Sequence, residues 1–450
     1  MNRRELKRLD QELDEYIESL VAGMGRTERR AAMGHYITGL LLDGERKSIE
    51  PMAARLVDSE DEIEGMRQRL QQAVSVAEWS EGEMLRRLAV KLDSELPGVE
   101  ALVVDDTGFP KKGEHSVGVQ RQYSGTLGRI DNCQVAVSLH VAGERGSGCI
   151  GFGLFLPEIW ASDGARRKAV GVPDNVEHRT KMAISLSQID AALAAGVRRH
   201  VVLADAGYGD STEYRDALRT RGLNYVTGVY GELVVWRAEG KPQIPSKPAP
   251  KMWRTRYVDA RHPPIRIAAL ASTLKYKNVK WREGSRGWQS SRFAATRIRP
   301  AHRHTTGAPP GDEQWLFCEW PDGEKAPTKY WLSSLPAATS IRSLVRFAKL
   351  RWRVERDYQE MKQEVGLDHF EGRTWRGFHH HAALCAVAHG FLALKRALFP
   401  PEDDEVDASD GPSSPAGGAR AAGRHLSALP PPDQRSGTAD GTVADVIEWY

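Results

Sequence analysis

The sequence predicts an α/β protein with an all-helical N-terminal region and a β-rich insertion late in the chain. Three observations carry this expectation. Apolar residues recur at helical spacing up to about residue 97. From Gly98 onward, short apolar runs end in acids and alternate with a helix, as in sheets whose ligands gather at strand ends. Between residues 232 and 328, short segments rich in Arg and Trp follow one another, broken by Pro and Gly.

Within residues 1–97, Leu6, Leu9, Leu13, Tyr16, Ile17, Leu20 and Val21 form one helical stripe, and a second helix runs from about Thr27 to Leu42, ending near Gly44. The run GERKSIEPMAARL offers Ser48 as an N-cap and Pro51 in a first turn, which opens a third helix. With Arg29, Arg30, Arg46 and Lys47 exposed, the region reads as a DNA-binding module or as an ordinary helical bundle.

Residues 98–231 form the first part of a core. ALVVDD reads as a buried strand ending in Asp105 and Asp106, with TGFPKKG as the turn after it. QVAVSLHVA and CIGFGLFLP are further strands, a helix spans about Lys181 to Ala195, RHVVLADAGYGD is a strand ending in Asp205, and LNYVTGVY is a fifth strand. In the insertion, 232–328, MWRTRYVDA, IRIAALAS, WQSSRFAATRIRPAH and QWLFCEWP read as short strands. The second part of the core, 329–398, begins with the strand KYWLSSLP and ends in the helix GFHHHAALCAVAHGFLALKRAL. The tail, 399–450, rich in Pro, Gly, Ser, Ala and acids, buries too little to fold and is expected to be disordered.

Composition bounds the function. A chain of 450 residues with 40% hydrophobic and 27% charged residues has room for two or three domains, and its net charge of +3 neither demands nor excludes nucleic acid. Any basic surface must therefore be local. The cysteines Cys133, Cys149, Cys318 and Cys385 show no paired metal spacing, and so few in a long chain suit a reducing compartment. MNRRELKRLD lacks an apolar leader and no segment suits a bilayer, so the expectation is a cytoplasmic protein without a membrane partner.

Residues 341–373 read as one long helix. On a wheel at about 100° per residue, Phe347, Leu350, Val354, Tyr358, Met361 and Val365 make a core stripe, flanked by Arg351, Glu355 and Lys362. Asp357, Glu360 and Glu364 fall on the far side, where solvated charges belong. A carboxylate beside Arg and Lys suits phosphate chemistry and equally suits an i,i+4 salt-bridge set. Two strand-end acids, Asp105 and Asp205, joined by Glu355 make the sharper pattern: three carboxylates can hold two hard cations about 4 Å apart for in-line phosphoryl transfer.

The segments LLLDGERKSIEPMAARL, VVDDTGFPKKGEHSVGVQRQYSGTLGRIDNCQVAVSLHVA, VVLADAGYGD, WREGSRGWQSSRFAATRIRPAH and RWRVERDYQEMKQEVGLDHFEGR together resemble the IS701 family of bacterial insertion-sequence transposases, related to the IS4 group. The resemblance covers roughly residues 30 to 395. It implies a ribonuclease-H-like catalytic core that binds Mg²⁺ or Mn²⁺, two ions in all, through an Asp-Asp-Glu triad. It also implies cutting and joining of transposon-end and target DNA, by a homodimer assembled on DNA and associated with the nucleoid. The family's strand-end Asp-x-Thr pattern selects Asp105 with Asp106 and Thr107, its second Asp maps onto Asp205 and its Glu onto Glu355. Of the Tyr-Arg-Glu-Lys signature in the IS4 group, Arg351, Glu355 and Lys362 keep the spacing, while Ala348 stands where the Tyr belongs.

Other residues carry two readings each. Lys111 and Lys112 meet a phosphate or form a solvated pair; Trp281, Trp288 and Arg292 hold an unpaired base or belong to a core. His379, His380 and His381 point in different directions on a helix, make no metal site alone, and read as polar surface or DNA-backbone contacts. A haloacid-dehalogenase-type phosphohydrolase requires Asp-x-Asp, and Thr107 occupies the second Asp position. A domesticated or inactive copy that only binds DNA is the non-enzyme alternative, which terminal inverted repeats beside the gene would argue against. Asp106 is expected to face away from Asp105, and the Arg and Lys residues of about 254–303 are expected to join Arg351 and Lys362 in one basic surface.

Overall fold

The apolar stripe of the first residues becomes the buried face of α1 (Arg3–Val21), with Leu13, Tyr16, Leu20 and Val21 all at 5% exposure or less. The structure, a computed structural model, describes residues 3–238, 263–283, 287–301 and 311–398. After α1 come α2 (Thr27–Leu41), α3 (Ile49–Arg55), α4 (Glu60–Gln71), which runs on into a π-helical turn at Gln72–Val76, and α5 (Glu81–Glu95). Ser48 stands at the N-cap of α3 and Ser80 caps α5 by accepting from the Glu83 amide. Arg46 is exposed, but Lys47, expected at the surface, is buried at 4% exposure. Its ammonium donates to the Leu42 carbonyl, and burial lowers its pKa to about 8.

The sheet begins with β1 (Val99–Pro110), β2 (Gln120–Ser124), β3 (Arg129–Gly143) and β4 (Gly146–Leu154). Thr107 to Pro110, expected as a turn, continue β1, because β3 pairs with them all the way from Gly143 to Cys133. Helices α6 (Glu158–Ala161), α7 (Gly164–Ala169) and α8 (Lys181–Ala195) lead to β5 (Val201–Ala204). Then follow α9 (Ala206–Gly209), α10 (Thr212–Thr220) and β6 (Tyr225–Val229).

The β-rich stretch supplies β7 (Val234–Arg237), β8 (Ile265–Arg266), β9 (Lys277–Arg282), β10 (Trp288–Pro300), β11 (Gln314–Trp320) and β12 (Lys329–Ser333). IRIAALAS is not a strand beyond its first two residues. Its Ala-rich part turns into α11 (Ile267–Ala271), with Ile267, Leu270 and Ala271 buried at helical spacing. MWRTRYVDA, the basic residues Arg254 and Arg303, and the tail from 399 lie outside the described residues. All these strands join one sheet, in the order β2-β3-β1-β5-β6-β12-β11-β10-β7-β8, with β4 paired to β3 and β9 to β10. At its centre β1, β5 and β6 run parallel.

The last helices are α12 (Ile341–Leu350), α13 (Trp352–Gln363) and α14 (Trp375–Leu398). The single long helix expected over 341–373 is therefore two helices and a loop. At Arg351, φ/ψ of −57°/−23° tightens the turn to 3₁₀ values and the Val354 amide bonds back to the Arg351 carbonyl three residues earlier. The second interruption is at Gly366, which takes φ +75°, with an added Cβ lying 2.4 Å from the Lys47 Cβ.

Two cores sandwich the sheet. On one face Leu13, Leu40, Leu88, Leu102, Val141 and Phe391 belong to a single cluster that joins α1, α2, α5, β1, β3 and α14. Helix α14 is buried on nearly every side, and the Tyr16 hydroxyl donates to its Val387 carbonyl at 2.8 Å, a contact 371 residues apart in sequence. On the other face Val103, Leu203, Val226 and Phe317 pack against Leu344, Leu350 and Val354 of α12 and α13. Among the described residues no helix is long and apolar enough to cross a membrane.

Candidate active site

Strand alternation sorts the acids of β1. Leu102 and Val104 point into the core shared with α14, and Ala101 and Val103 into the core under α12 and α13. Carried forward, this alternation sends Asp106 to the first side and Asp105 to the second. Their partners agree: Lys181 of α8 pairs with Asp106, whereas the Arg351 Nη1 donates to Asp105 Oδ2 at 2.9 Å.

Asp205 follows β5, which runs parallel to β1 with Leu102 opposite Val202 and Val103 opposite Leu203. Two residues further, the same register sets Asp105 level with Asp205. The Asp205 carboxylate caps α9, accepting from the Gly207 amide at 2.9 Å and the Tyr208 amide at 3.4 Å. Helix α9 lies close on β6 because Gly209 has no side chain: a Cβ there would meet the Gly228 carbonyl oxygen at 2.1 Å.

Glu355 lies in the first turn of α13, its side chain 66% exposed, and its Oε1 accepts from Arg351 Nη2 at 3.0 Å. One guanidinium thus bridges a strand-end aspartate and a helix glutamate, and the 3₁₀ turn at Arg351 is where that bridge is anchored. Burial is the largest influence on Asp105, and with the nearby Asp205 it overcomes the pull of Arg351 to raise the Asp105 carboxyl to about 6. Burial opposes the charge on Arg351, yet Asp105, Glu355 and Asp205 together raise its pKa.

The remaining sequence candidates divide. Lys362 lies two turns beyond Glu355, donates from Nζ to the Gly108 carbonyl at 3.0 Å and sits over the Phe109 ring. Lys111 donates to the Phe370 carbonyl at 3.1 Å, and Lys112 is exposed. Arg292 pairs with Asp322 at 3.0 Å and lies over the Trp320 ring; Trp281 is core, and Trp288 is 64% exposed. The three consecutive histidines are not surface residues. His379 accepts from the Leu154 amide, His380 stacks on Trp79, and His381 lies between the Tyr36 hydroxyl and the Gly366 carbonyl. Burial lowers the pKa of all three, that of His381 to about 4, so they are neutral core groups.

Asp357 and Glu360, expected in solvent, are each 3% exposed. They are buried because each finds cationic partners. His140 donates from Nδ1 to Asp357 Oδ2 at 2.7 Å, Ser147 donates to Asp357 Oδ1 at 2.6 Å, and His389, Arg356 and Arg396 surround Glu360. From His140 the chain of contacts passes through Ser138 Oγ at 2.9 Å to the Tyr358 hydroxyl. Burial, and next the nearby Asp105 carboxylate, push the Tyr358 phenol well above its usual range. The sequence signals for this network were a lone His in the apolar strand QVAVSLHVA and another in the apolar helix α14.

Residues 19–288 match the model of a family described as DDE superfamily endonuclease. The chain belongs to that family. Asp105 and Asp205 lie inside the matched stretch and Glu355 beyond it. It is also 28% identical over 220 residues to the probable transposase for insertion sequence element IS701 of Microchaete diplosiphon, an overlap covering 48% of this chain and 53% of that protein. The chain thus spans about half the length of the curated relative it matches.

Endonucleases of this superfamily generally use divalent metal ions. Among the described residues no three His, Cys, Asp or Glu side chains stand close enough together to hold one. The donor type still fits: Asp105, Asp205 and Glu355 are hard oxygen ligands, and the Arg351 guanidinium is a cation already bridging two of them.

Proposed function

We propose that this chain is a transposase that cuts and joins the DNA ends of an insertion-sequence element, with Asp105, Asp205 and Glu355 as its catalytic carboxylates on a ribonuclease-H-like core. The observation that carries the reading is the Arg351 bridge between Asp105 and Glu355, with Asp205 at the end of the neighbouring parallel strand. The resemblance of the chain to the IS701 transposase supports the choice of substrate.

Two Mg²⁺ or Mn²⁺ ions held by the three carboxylates would supply activation of a water or 3′-hydroxyl and stabilisation of the departing 3′-oxygen. Asp105, whose carboxyl burial and Asp205 raise to about 6, must give up its proton to serve as a ligand. Arg351, once drawn off Asp105 and Glu355, is placed to hold the non-bridging oxygens of the scissile phosphate with its planar fork. Lys362, Lys111, Lys112 and Arg292 hold backbone phosphates on either side, offsetting the repulsion between three carboxylates and DNA. Helices α1 to α5 add a DNA-binding region ahead of the core.

The test separates chemistry from grip. Purified protein is mixed with a duplex carrying the terminal repeat beside its own gene, with Mg²⁺. The Asp205→Ala and Glu355→Ala variants should abolish strand cleavage and keep roughly wild-type affinity in a gel-shift assay, since removal of a ligand affects the reaction more than the electrostatic hold. Loss of binding equal to the loss of cleavage would make these acids structural.

A further inference from the structure

Strand β1 does not stop at the acids. It continues to Pro110 and delivers Lys111 and Lys112 into a cleft of about 450 Å³ that lies outside the acid site. Three separate chain segments meet there: the loop after β1, Arg46 from the α2–α3 loop, and residues 368–373 between α13 and α14. Four cations, Arg46, Lys111, Lys112 and Arg373, face two acids, Asp368 and Glu371. In a chain whose total is only +3 this is a local concentration of positive charge.

The cleft is built rather than draped. Asn132 Nδ2 donates to the carbonyls of Lys111 at 2.7 Å and Gly113 at 3.0 Å, the Val117 amide donates to the Arg373 carbonyl at 3.0 Å, and the Lys47 amide donates to His369 Nδ1 at 3.0 Å. Of the cations, Arg46 pairs with the exposed Glu371, and Lys111 is tied to the Phe370 carbonyl. Lys112 and Arg373 are exposed and meet no carboxylate among the described residues. A fixed frame with two uncommitted cations suits an anion with several oxygens.

Distance says where on the DNA such an anion would lie. Lys111 follows Asp105 by six residues of continuous strand, roughly 20 Å at about 3.3 Å per residue. B-form DNA advances about 3.4 Å per base pair along its axis, so on a duplex lying along β1 the same span covers about six base pairs. Midway, Lys362 Nζ stands at the Gly108 carbonyl, so cations recur along the strand from Arg351 to the cleft.

We propose that this cleft binds a backbone phosphate of the end duplex about six base pairs from the scissile phosphate, on the strand that faces it there. The inference rests on the transposase reading above. It makes β1 a ruler, with chemistry partway along and an anchor at its end.

The experiment walks a single neutral methylphosphonate outward from the cleavage position along each strand of the terminal-repeat duplex in turn and measures affinity of the full chain. Wild-type protein should lose about tenfold in affinity when the substitution falls about five to seven base pairs away, the scale of one charged contact. The K112Q/R373Q double variant alters only exposed side chains. It should bind unmodified duplex more weakly, lower the salt slope by up to about 1.8, and no longer respond to methylphosphonate at those positions. Wild-type binding and cleavage without interference there, or interference that persists undiminished in the double variant, would overturn the anchor and leave the transposase reading intact. A wild-type chain that neither bound nor cut the duplex would overturn both.

Discussion

His140 and Asp357 form an ion pair at 2.7 Å in which neither side chain is more than 4% exposed, and the pair ties the glutamate-bearing helix α13 to strand β3. Burial opposes the charge on the imidazole, but the adjacent Cys149 and Asp357 outweigh it and hold the ring at about 10. Replacing one member strands the other charge in the core. His140→Ala should therefore cost about 3–5 kcal/mol in urea unfolding. The His140→Ala, Asp357→Ala double variant should cost less than the sum of the two singles. Additive losses would show that the pair is not coupled.

Asp105 makes the opposite kind of contribution. Its carboxyl rises from an ordinary 3.8 to about 6 on folding, so the folded chain prefers it protonated. Stability then falls as pH rises from about 4 to 6, by about 3 kcal/mol at roughly 1.36 kcal/mol per unit, and the loss persists above that window. Asp105→Asn removes the charge. It should raise the melting temperature by several degrees at pH 7.5 and leave it nearly unchanged at pH 3.5. A variant less stable than wild type at pH 7.5 would mean that the Arg351 pairing outweighs burial.

Among the described residues, the Arg351 guanidinium is the positive charge that pulls the Asp105 carboxyl down. Arg351→Ala should move the acidic limb of the single-turnover cleavage profile to higher pH, as well as slowing cleavage by about 100-fold. Arg351→Lys should keep the pH limb closer to wild type and still react slowly, because an ammonium cannot span two carboxylates as a guanidinium does. Identical profiles in all three proteins would remove Arg351 from the chemistry.

Gly209 holds α9, and with it Asp205, against β6. An alanine methyl would lie 2.1 Å from the Gly228 carbonyl oxygen and 2.6 Å from Thr227 Cβ. Since backbone must move to admit it, Gly209→Ala should cost about 1–3 kcal/mol in stability and reduce cleavage by a larger factor than it reduces duplex affinity. Unchanged cleavage would show that the capping turn tolerates displacement without moving Asp205.

Much of this arrangement was legible in the chain. The helix Lys181–Ala195, the strand before Asp205 and the opposite facing of Asp105 and Asp106 follow from period alone. What period could not give was the second buried face of α13. A helical wheel places polar residues outside, and Asp357 and Glu360 are inside because His140, His389 and Arg396 arrive from elements far away in sequence. The same reason explains the three histidines of α14, which are satisfied by backbone groups of Leu154, Val74, Trp79 and Gly366. The break at Arg351 was equally invisible, since nothing in RFAKLRWRVE marks a 3₁₀ turn; only the strand-end carboxylate it reaches for gives the turn a purpose.

The hydrogen bond from Tyr16 to Val387 also sets a clock for biosynthesis. At roughly 5–20 residues per second, a ribosome takes about 20 to 75 s to make the intervening chain, and α1 waits that long for its mate. Throughout that interval the stripe of Leu13, Leu20 and Val21 has no α14 to cover it. Nascent chains of this protein are therefore expected to engage holding chaperones early and to mature only after α14 has emerged.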